Sequence, residues 1–289
     1  MNQAAPFEVS PLTPSLGAEI MNVGLWNMDS FFGEIYRSFL RYKIIVIRDM
    51  PMSHDQLCEF SARFGELMEL PYIKPVEAYP KIIAVQKEVD ETGMGVFGGD
   101  WHSDFSFLAA PPKASILYSH QIPPLGGDTL WVNMESAYGA LPVKQKNWLE
   151  GKYVIHTGAP YGVANAPDIE TQFQGSMTIT RNNPQADRET RHPAVCCHPE
   201  TGNLALFINP TYTTRFSDMS KAESEPILRE LLSHCTRPEF SCRFRWTPNT
   251  LVIWDNRSTM HYAVNDYDGY RRLMYRTTIS GEPPLPATS

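Results

Sequence analysis

Four consecutive residues, Trp101-His102-Ser103-Asp104, carry an imidazole and a carboxylate two positions apart. Alternate side chains of an extended chain point to one side, so both groups can reach a single metal ion. The pair is weak evidence alone, because H-x-D arises by chance and a metal site needs a third donor. His54 and His234 fall in helical segments, where a capped first turn and an amphipathic end account for them. His198 precedes Pro199-Glu200-Thr201-Gly202, a sequence suited to a hairpin turn. His120, His156 and His192 have no evident partner and read as packing residues. His261 differs, since it follows the run Leu251-Val252-Ile253-Trp254 and the turn-prone Asp255-Asn256, with Arg272 further along. His102, Asp104 and His261 are therefore the candidate metal ligands.

A second cluster of chemistry lies downstream. The stretch Arg272 to Ile279 reads as a strand, and strand alternation places Arg272, Met274, Arg276 and Thr278 on one face. Two guanidiniums buried on one sheet face are strongly disfavoured without anions, which points to acidic ligands. The alternative is a solvated face with Arg276 in a surface ion pair. Two histidines and a carboxylate leave iron(II) with open positions on one side, suited to a bidentate 2-oxo acid and dioxygen. A structural zinc site would instead be closed by a fourth protein ligand. A zinc hydrolase that activates water on the same three residues, and a non-catalytic binding module, are the competing readings.

The elements that must position these groups are mostly short strands. The chain has 289 residues, 42% of them hydrophobic and 20% charged, enough to bury a globular core. Ser30 marks the start of a helix through Phe31, Phe32, Ile35, Phe39 and Leu40, followed by a buried strand Ile44-Ile45-Val46-Ile47. Ser53 with Gln56 makes a capping box for a second helix ending at Gly65. Strands are expected at Lys81–Val85, Ala114–Tyr118, Thr129–Val132, Tyr153–His156, Leu204–Ile208, Phe240–Trp246 and Leu251–Trp254. Helical residues lie near Met134–Glu150 and Lys221–His234. This is a mainly β chain with flanking helices, a sandwich or barrel in one domain over 1–289. The polar, aperiodic stretch 158–188 reads as a lid.

The net charge of −7 argues against a nucleic-acid partner. No run approaches a membrane span, and the start of the chain lacks an export signal, so no membrane partner and a cytoplasmic location are expected. The five cysteines, odd in number and without a C-x-x-C pair, read as reduced thiols.

Several ordered motifs together resemble the taurine and 2,4-dichlorophenoxyacetate dioxygenase family, within the iron(II)- and 2-oxoglutarate-dependent oxygenases. They are Gly17-Ala18-Glu19-Ile20, Phe64-Gly65, Trp101-His102-Ser103-Asp104, Gly126-Gly127-Asp128-Thr129, His192-Pro193, His198 to Gly202, Trp254-Asp255-Asn256-Arg257, His261, and Arg272 through Arg276. Asp187-Arg188-Glu189-Thr190 and Thr259-Met260-His261 look most like its (R)-dichlorprop-oxidising members. The resemblance implies a double-stranded β-helix, or jelly roll of cupin type, with His102, Asp104 and His261 on iron(II). It implies that Thr129 and Arg272 hold the far carboxylate of 2-oxoglutarate, that Arg276 lies near the bound acids, and that dioxygen is the oxidant. Relatives commonly form dimers or tetramers, so a homo-oligomer is expected.

Two departures bear on the substrate. A histidine that helps bind sulfonate in taurine dioxygenase corresponds to Leu70, and an asparagine that serves the taurine amine corresponds to Gly98. Taurine is therefore a poor candidate. Leu70, Tyr72, Ile73, Phe107 and Tyr212, with Arg276, are expected to form the substrate pocket. An apolar or aromatic small molecule fits it, a carboxylate-bearing one included; an alkyl sulfonate or sulfate is the alternative.

Overall fold

The computed structural model describes residues 7–163 and 175–287. Its strands, in chain order, begin with β1 (Glu8–Pro11), β2 (Ala18–Met21), β3 (Ile44–Ile47), β4 (Ile83–Lys87), β5 (Ala114–Gln121), β6 (Thr129–Asn133), β7 (Tyr153–His156) and β8 (Thr190–Pro193). They continue with β9 (Val195–Cys197), β10 (Leu204–Leu206), β11 (Thr213–Phe216), β12 (Ser241–Phe244), β13 (Leu251–Asp255), β14 (Thr259–Ala263), β15 (Arg272–Ile279) and β16 (Leu285–Pro286). The helices are α1 (Met28–Tyr42), α2 (His54–Ala62), α3 (Met134–Gly139), α4 (Val143–Leu149) and α5 (Lys221–Cys235).

A seven-stranded sheet in the order β1-β2-β3-β13-β5-β15-β4 forms one wall. All its pairings are antiparallel except β2 with β3. Strand alternation gives this sheet two dry faces. Ile44 and Val46 of β3, Val252 and Trp254 of β13, and Met274 of β15 enter a core that also holds Trp131 of β6 and Phe244 of β12. Their neighbours Ile45, Ile47, Leu251, Ile253 and Ile279 enter a second core, beneath Ile35 and Phe39 of α1 and Leu57 and Phe60 of α2. The first core is the filling between the large sheet and a three-stranded sheet, β12-β6-β14. Trp131 and Trp254 meet there edge to face at 5.8 Å. Two facing sheets with helices on the outside form the jelly roll, and the candidate site sits between them.

Local chemistry sets the element boundaries. Ser53 accepts from the backbone of Gln56 while the Gln56 side chain accepts from Ser53 N–H, a complete capping box. Helix α2 stops at Ala62, three residues before Gly65, whose φ of 144° lies in the left-handed half of the map. Helix α1 begins at Met28, two residues ahead of Ser30. Asn27 occupies the cap position but its Oδ1 accepts from Gly24 N–H, closing a turn whose geometry, not Ser30, starts the helix. The helical residues near 134–150 divide into α3 and α4, because Pro142 has no N–H to continue the ladder. The 204–208 and 240–246 strands are shorter than expected, at Leu204–Leu206 and Ser241–Phe244, and the 81–85 strand is shifted to Ile83–Lys87. Among the described residues no helix is long and apolar enough to cross a membrane.

Candidate active site

The loop between β4 and β5 carries Trp101-His102-Ser103-Asp104 to the start of β14. His102 and His261 exchange backbone bonds, N–H to O at 3.0 and 2.8 Å, so two residues far apart in sequence are locked side by side. Ser103 Oγ donates to Thr259 O at 2.8 Å, adding a second tie between the loop and β14. The ring centroids of His102 and His261 are 4.1 Å apart. One ligand atom from each of His102, Asp104 and His261 lies within 4.8 Å of the others, and all three residues are buried.

The orientation of Asp104 is heavily determined. Its Oδ1 lies 3.5 Å from His102 Nε2 and 3.6 Å from His261 Nε2. Its Oδ2 accepts from Ser115 Oγ and pairs with Arg276 Nη2, each at 2.7 Å. Arg276 also donates to Ser115 Oγ and to Thr278 Oγ1. Asn256 completes the frame: its Nδ2 donates to Ser115 Oγ, and Trp254 Nε1 donates to its Oδ1. Burial alone would raise the pKa of Asp104, but Arg276 and then the two imidazoles hold it well below the carboxylate range. Burial, and then His102, hold His261 well below the usual imidazole value, so it is neutral. An ionised carboxylate beside a neutral imidazole is the protonation state a metal ion requires.

These residues fit a divalent transition metal. Nitrogen and carboxylate donors suit iron(II), and among the described residues no fourth His, Cys, Asp or Glu joins the cluster, which leaves coordination positions for small molecules. His102 Nδ1 contacts Asp100 O at 2.7 Å, fixing its ring so that Nε2 faces the cluster.

Arg272 is the other residue singled out on β15 by the sequence. It is 4% exposed, and its Nε has no hydrogen-bond partner. Burial pushes its pKa down, against the hydrogen bond and proximity of Tyr267. A buried guanidinium with an unpartnered Nε could accept an anion. Gly127 makes room for it: a Cβ there would stand 3.2 Å from Arg272 Cδ, and the residue has a φ of 67°. Thr129, two residues on, accepts at Oγ1 from Trp246 Nε1 at 2.9 Å.

Beside the triad opens a cavity of about 530 Å³ walled by His102, Asp104, Phe105, Tyr161, Arg181 and Tyr212, among others. The jelly-roll scaffold, the facing imidazoles and the buried cation beside them are the features by which known proteins can be compared. Residues 8–278 match the model of the taurine catabolism dioxygenase TauD, TfdA family. The chain belongs to that family. It is a 2-oxoglutarate-dependent dioxygenase, an oxidoreductase, and TauD/TfdA enzymes use iron(II), 2-oxoglutarate and dioxygen. It is 32% identical to an alkylsulfatase of Acinetobacter baylyi, over 97% of this chain and 87% of that one. It is also 32% identical to an α-ketoglutarate-dependent sulfate ester dioxygenase of Pseudomonas putida, over 98% and 92%. A taurine dioxygenase structure from Burkholderia xenovorans superposes with a TM-score of 0.79 at 31% identity, covering 96% of this chain and 92% of that one.

Not every TauD/TfdA expectation is met in detail. Tyr212 lines the cavity, but Leu70, Tyr72, Ile73 and Phe107 do not. They form the layer behind it: Tyr72 stacks on Tyr161 at 5.0 Å, Phe107 packs on Tyr212 at 5.0 Å, and Ile73 and Phe107 are core. Arg276 is outside the cavity wall too, because its guanidinium is engaged by Asp104. Gly98, where some relatives carry asparagine, stands against the first histidine. A Cβ there would lie 3.1 Å from His102 Cε1, at a φ of 79°.

Three histidines are better partnered than their neighbours in sequence suggest. His198 Nδ1 accepts from Glu200 and Thr201 N–H, as a turn residue would, but its Nε2 also meets buried Asp255 at 2.9 Å. His156 bridges Ser106 Oγ and Thr213 Oγ1, both at 3.0 Å, and His192 Nε2 contacts Leu108 O. Sequence reasoning passed over Ser115, Tyr161 and Arg181 entirely. The alternation along β5 is a signal for Ser115; Tyr161 and Arg181 lie in the aperiodic stretch, where no period points inward.

Proposed function

We propose that this dioxygenase holds iron(II) through His102, Asp104 and His261, binds 2-oxoglutarate with its far carboxylate on Arg272 and Thr129, and hydroxylates a small molecule with an apolar or aromatic body. The observation that carries this reading is the buried triad, whose three ligand atoms lie within 4.8 Å. Iron(II) at this position supplies oxygen activation coupled to decarboxylation of 2-oxoglutarate, giving succinate, carbon dioxide and the equivalents that turn a substrate C–H into C–OH.

The protein's own contribution is positioning and exclusion of water. Arg276 and Ser115 hold Asp104 Oδ2 and turn Oδ1 toward the imidazoles. Arg272 fixes the co-substrate's remote end with charge-assisted bonds. Phe105, Tyr161 and Tyr212 present an aromatic wall to the substrate. The described parts of the 158–188 stretch, including Tyr161 and Arg181, support reading it as a cover over the site. Residues 164–174 of that expected lid lie outside the described residues. The two relatives named for sulfate esters support a substrate of alkyl sulfate type over taurine, in keeping with Leu70 and Gly98.

A zinc hydrolase on the same triad leaves the buried Arg272 without a role. Succinate release from 2-oxoglutarate, measured with iron(II), dioxygen and a panel of alkyl sulfates and aryloxy acids, tests the proposal. His102→Ala and Asp104→Ala should each abolish substrate-linked succinate. Retained turnover in either variant with iron in excess would refute the triad.

A further inference from the structure

Beside Arg272, the proposed anchor of 2-oxoglutarate, lies a second buried cation that the reaction does not use. In the register of β15 with β4, Arg272 stands directly opposite Lys87, so the two side chains leave the sheet on one face. Like charges so placed repel, and both residues are buried. Their partners differ. Lys87 is neutralised: its Nζ pairs with Asp268 and donates to Asn265 Oδ1 at 2.8 Å. Among the described residues no carboxylate pairs with Arg272, and Asp128, the acid that acts on it through space, is bonded to Arg243 Nε at 2.6 Å. The partner of Arg272 is the hydroxyl of Tyr267, which accepts a hydrogen bond from the guanidinium.

Tyr267 is held in place from both sides. Asp266 Oδ1 accepts from Gly127 N–H at 2.8 Å, and its Oδ2 meets Arg243 Nη2 at 3.3 Å. Asp268 Oδ2 accepts from Gly93 N–H at 2.9 Å, while its Oδ1 pairs with Lys87. The Tyr267 ring is buried, with Arg272 Cζ 6.0 Å and Lys87 Nζ 5.1 Å from its centroid, so one π system serves both cations. Burial keeps the phenol above its usual pKa against the pull of Arg272, so it stays neutral. A carboxylate in this position would orient the guanidinium but cancel its charge, whereas a phenol orients it and leaves the charge available. The unpartnered Nε lies beside Gly127, where a Cβ would stand 3.3 Å away. We propose that Tyr267 is a positioning residue for 2-oxoglutarate: clasped by Asp266 and Asp268, it fixes the Arg272 guanidinium without neutralising it and so keeps Nε free for the far carboxylate. The inference rests on the placement of Arg272 in the dioxygenase reading above, and adds the residue through which that anchor is set.

Two 2-oxo acids of equal chain length test it: 2-oxoglutarate, and 2-oxovalerate, which lacks the far carboxylate. Binding to enzyme loaded with manganese(II) is measured calorimetrically, so the readout is independent of turnover. The wild type should bind 2-oxoglutarate about tenfold or more tighter than 2-oxovalerate. Tyr267→Phe keeps the ring beside both cations and removes only the hydroxyl; it should weaken 2-oxoglutarate about fivefold and leave 2-oxovalerate within about twofold. A merely structural role would weaken both acids alike. In an Arg272→Ala background, Tyr267→Phe should change 2-oxoglutarate affinity by less than about twofold, because the phenol acts through that guanidinium. Equal losses for the two acids, an unchanged 2-oxoglutarate affinity in Tyr267→Phe, or a loss that persists in full in the Arg272→Ala background overturns the proposal while leaving Arg272 in its place. A wild type that does not discriminate the two acids, or an Arg272→Ala variant that discriminates them as before, refutes the placement of Arg272 and the proposal with it, so the two failures are distinguishable.

Discussion

Arg272 and Arg276 are four residues apart on the same face of one strand, yet they do different work. Arg276 is satisfied within the protein by Asp104, Ser115 and Thr278, so its charge stabilises the carboxylate of the proposed metal ligand. Arg272 is buried with an unpartnered Nε, which is the basis for proposing that it holds the far carboxylate of 2-oxoglutarate. Arg272→Ala removes a bidentate, charge-assisted contact of roughly 1.5 to 3 kcal/mol. The apparent affinity for 2-oxoglutarate should therefore drop tenfold or more, read from the visible band that forms when the co-substrate meets the iron; an unchanged titration would remove Arg272 from the site. Strand periodicity placed both guanidiniums on one face, but which of them is neutralised internally depends on Asp104, a residue 172 positions away from Arg276 that no local pattern connects to it.

Between elements, one ionic network ties helix α1 to the strand that leads to His261. Asp255, at the end of β13, is held by His198 Nε2 and by Arg257. Arg257 also binds Glu200, which accepts from Tyr36 Oη of α1 at 2.7 Å. Burial alone would raise the pKa of Glu200, but the hydrogen bonds from Tyr36 and Arg257 hold it down to about 2. Its folded value lies below the ordinary 4.5, so its contribution is complete above about pH 4.5 and is lost as the pH falls through about 2. Glu200 is substantially exposed, so the contribution is a screened one, about 1 kcal/mol. Glu200→Gln should be less stable than wild type by about that amount at pH 7, and denaturant titrations of the two should converge as the pH is lowered from 4.5 toward 2. This network was half visible beforehand. The hairpin at Pro199-Glu200-Thr201-Gly202 is a local signal, and so were the capping box at Ser53 and the buried run of β3. The pairing of His198 with Asp255 and the start of α1 at Met28 depend on tertiary packing, which spacing alone does not encode.

Across the whole molecule, a second set of groups sets the response to acid. His156 is fully buried, stacked on Phe207 and next to His192, and burial followed by His192 pushes its pKa down to about 3. An unfolded chain protonates the same imidazole near 6.5. Stability is therefore unaffected by His156 above pH 6.5, and declines between 6.5 and 3 as the unfolded state takes up a proton that the folded state refuses. The slope is roughly 1.4 kcal/mol per pH unit for one such group. His156→Gln, which retains donors and acceptors for Ser106 and Thr213, should flatten the fall in stability between pH 6.5 and 4.5 by about that slope. Urea unfolding at several pH values, compared with wild type, measures it; parallel curves would exclude His156 as a source.

Strand β15 carries cations and apolar residues on its site face, while Tyr275 and Thr277 on the other face meet the helix layer, where Thr277 bonds Ser61 of α2 at 2.7 Å. A slide of this strand by a single residue would invert every side chain in it. Arg276 would then leave Asp104, Ser115 and Thr278, and both arginines would face the largely apolar layer beneath α2, at a cost far above that of a mispaired backbone. The charges that serve chemistry thus also proofread assembly: a jelly roll closed in the wrong frame is rejected energetically before it can persist as an inactive look-alike.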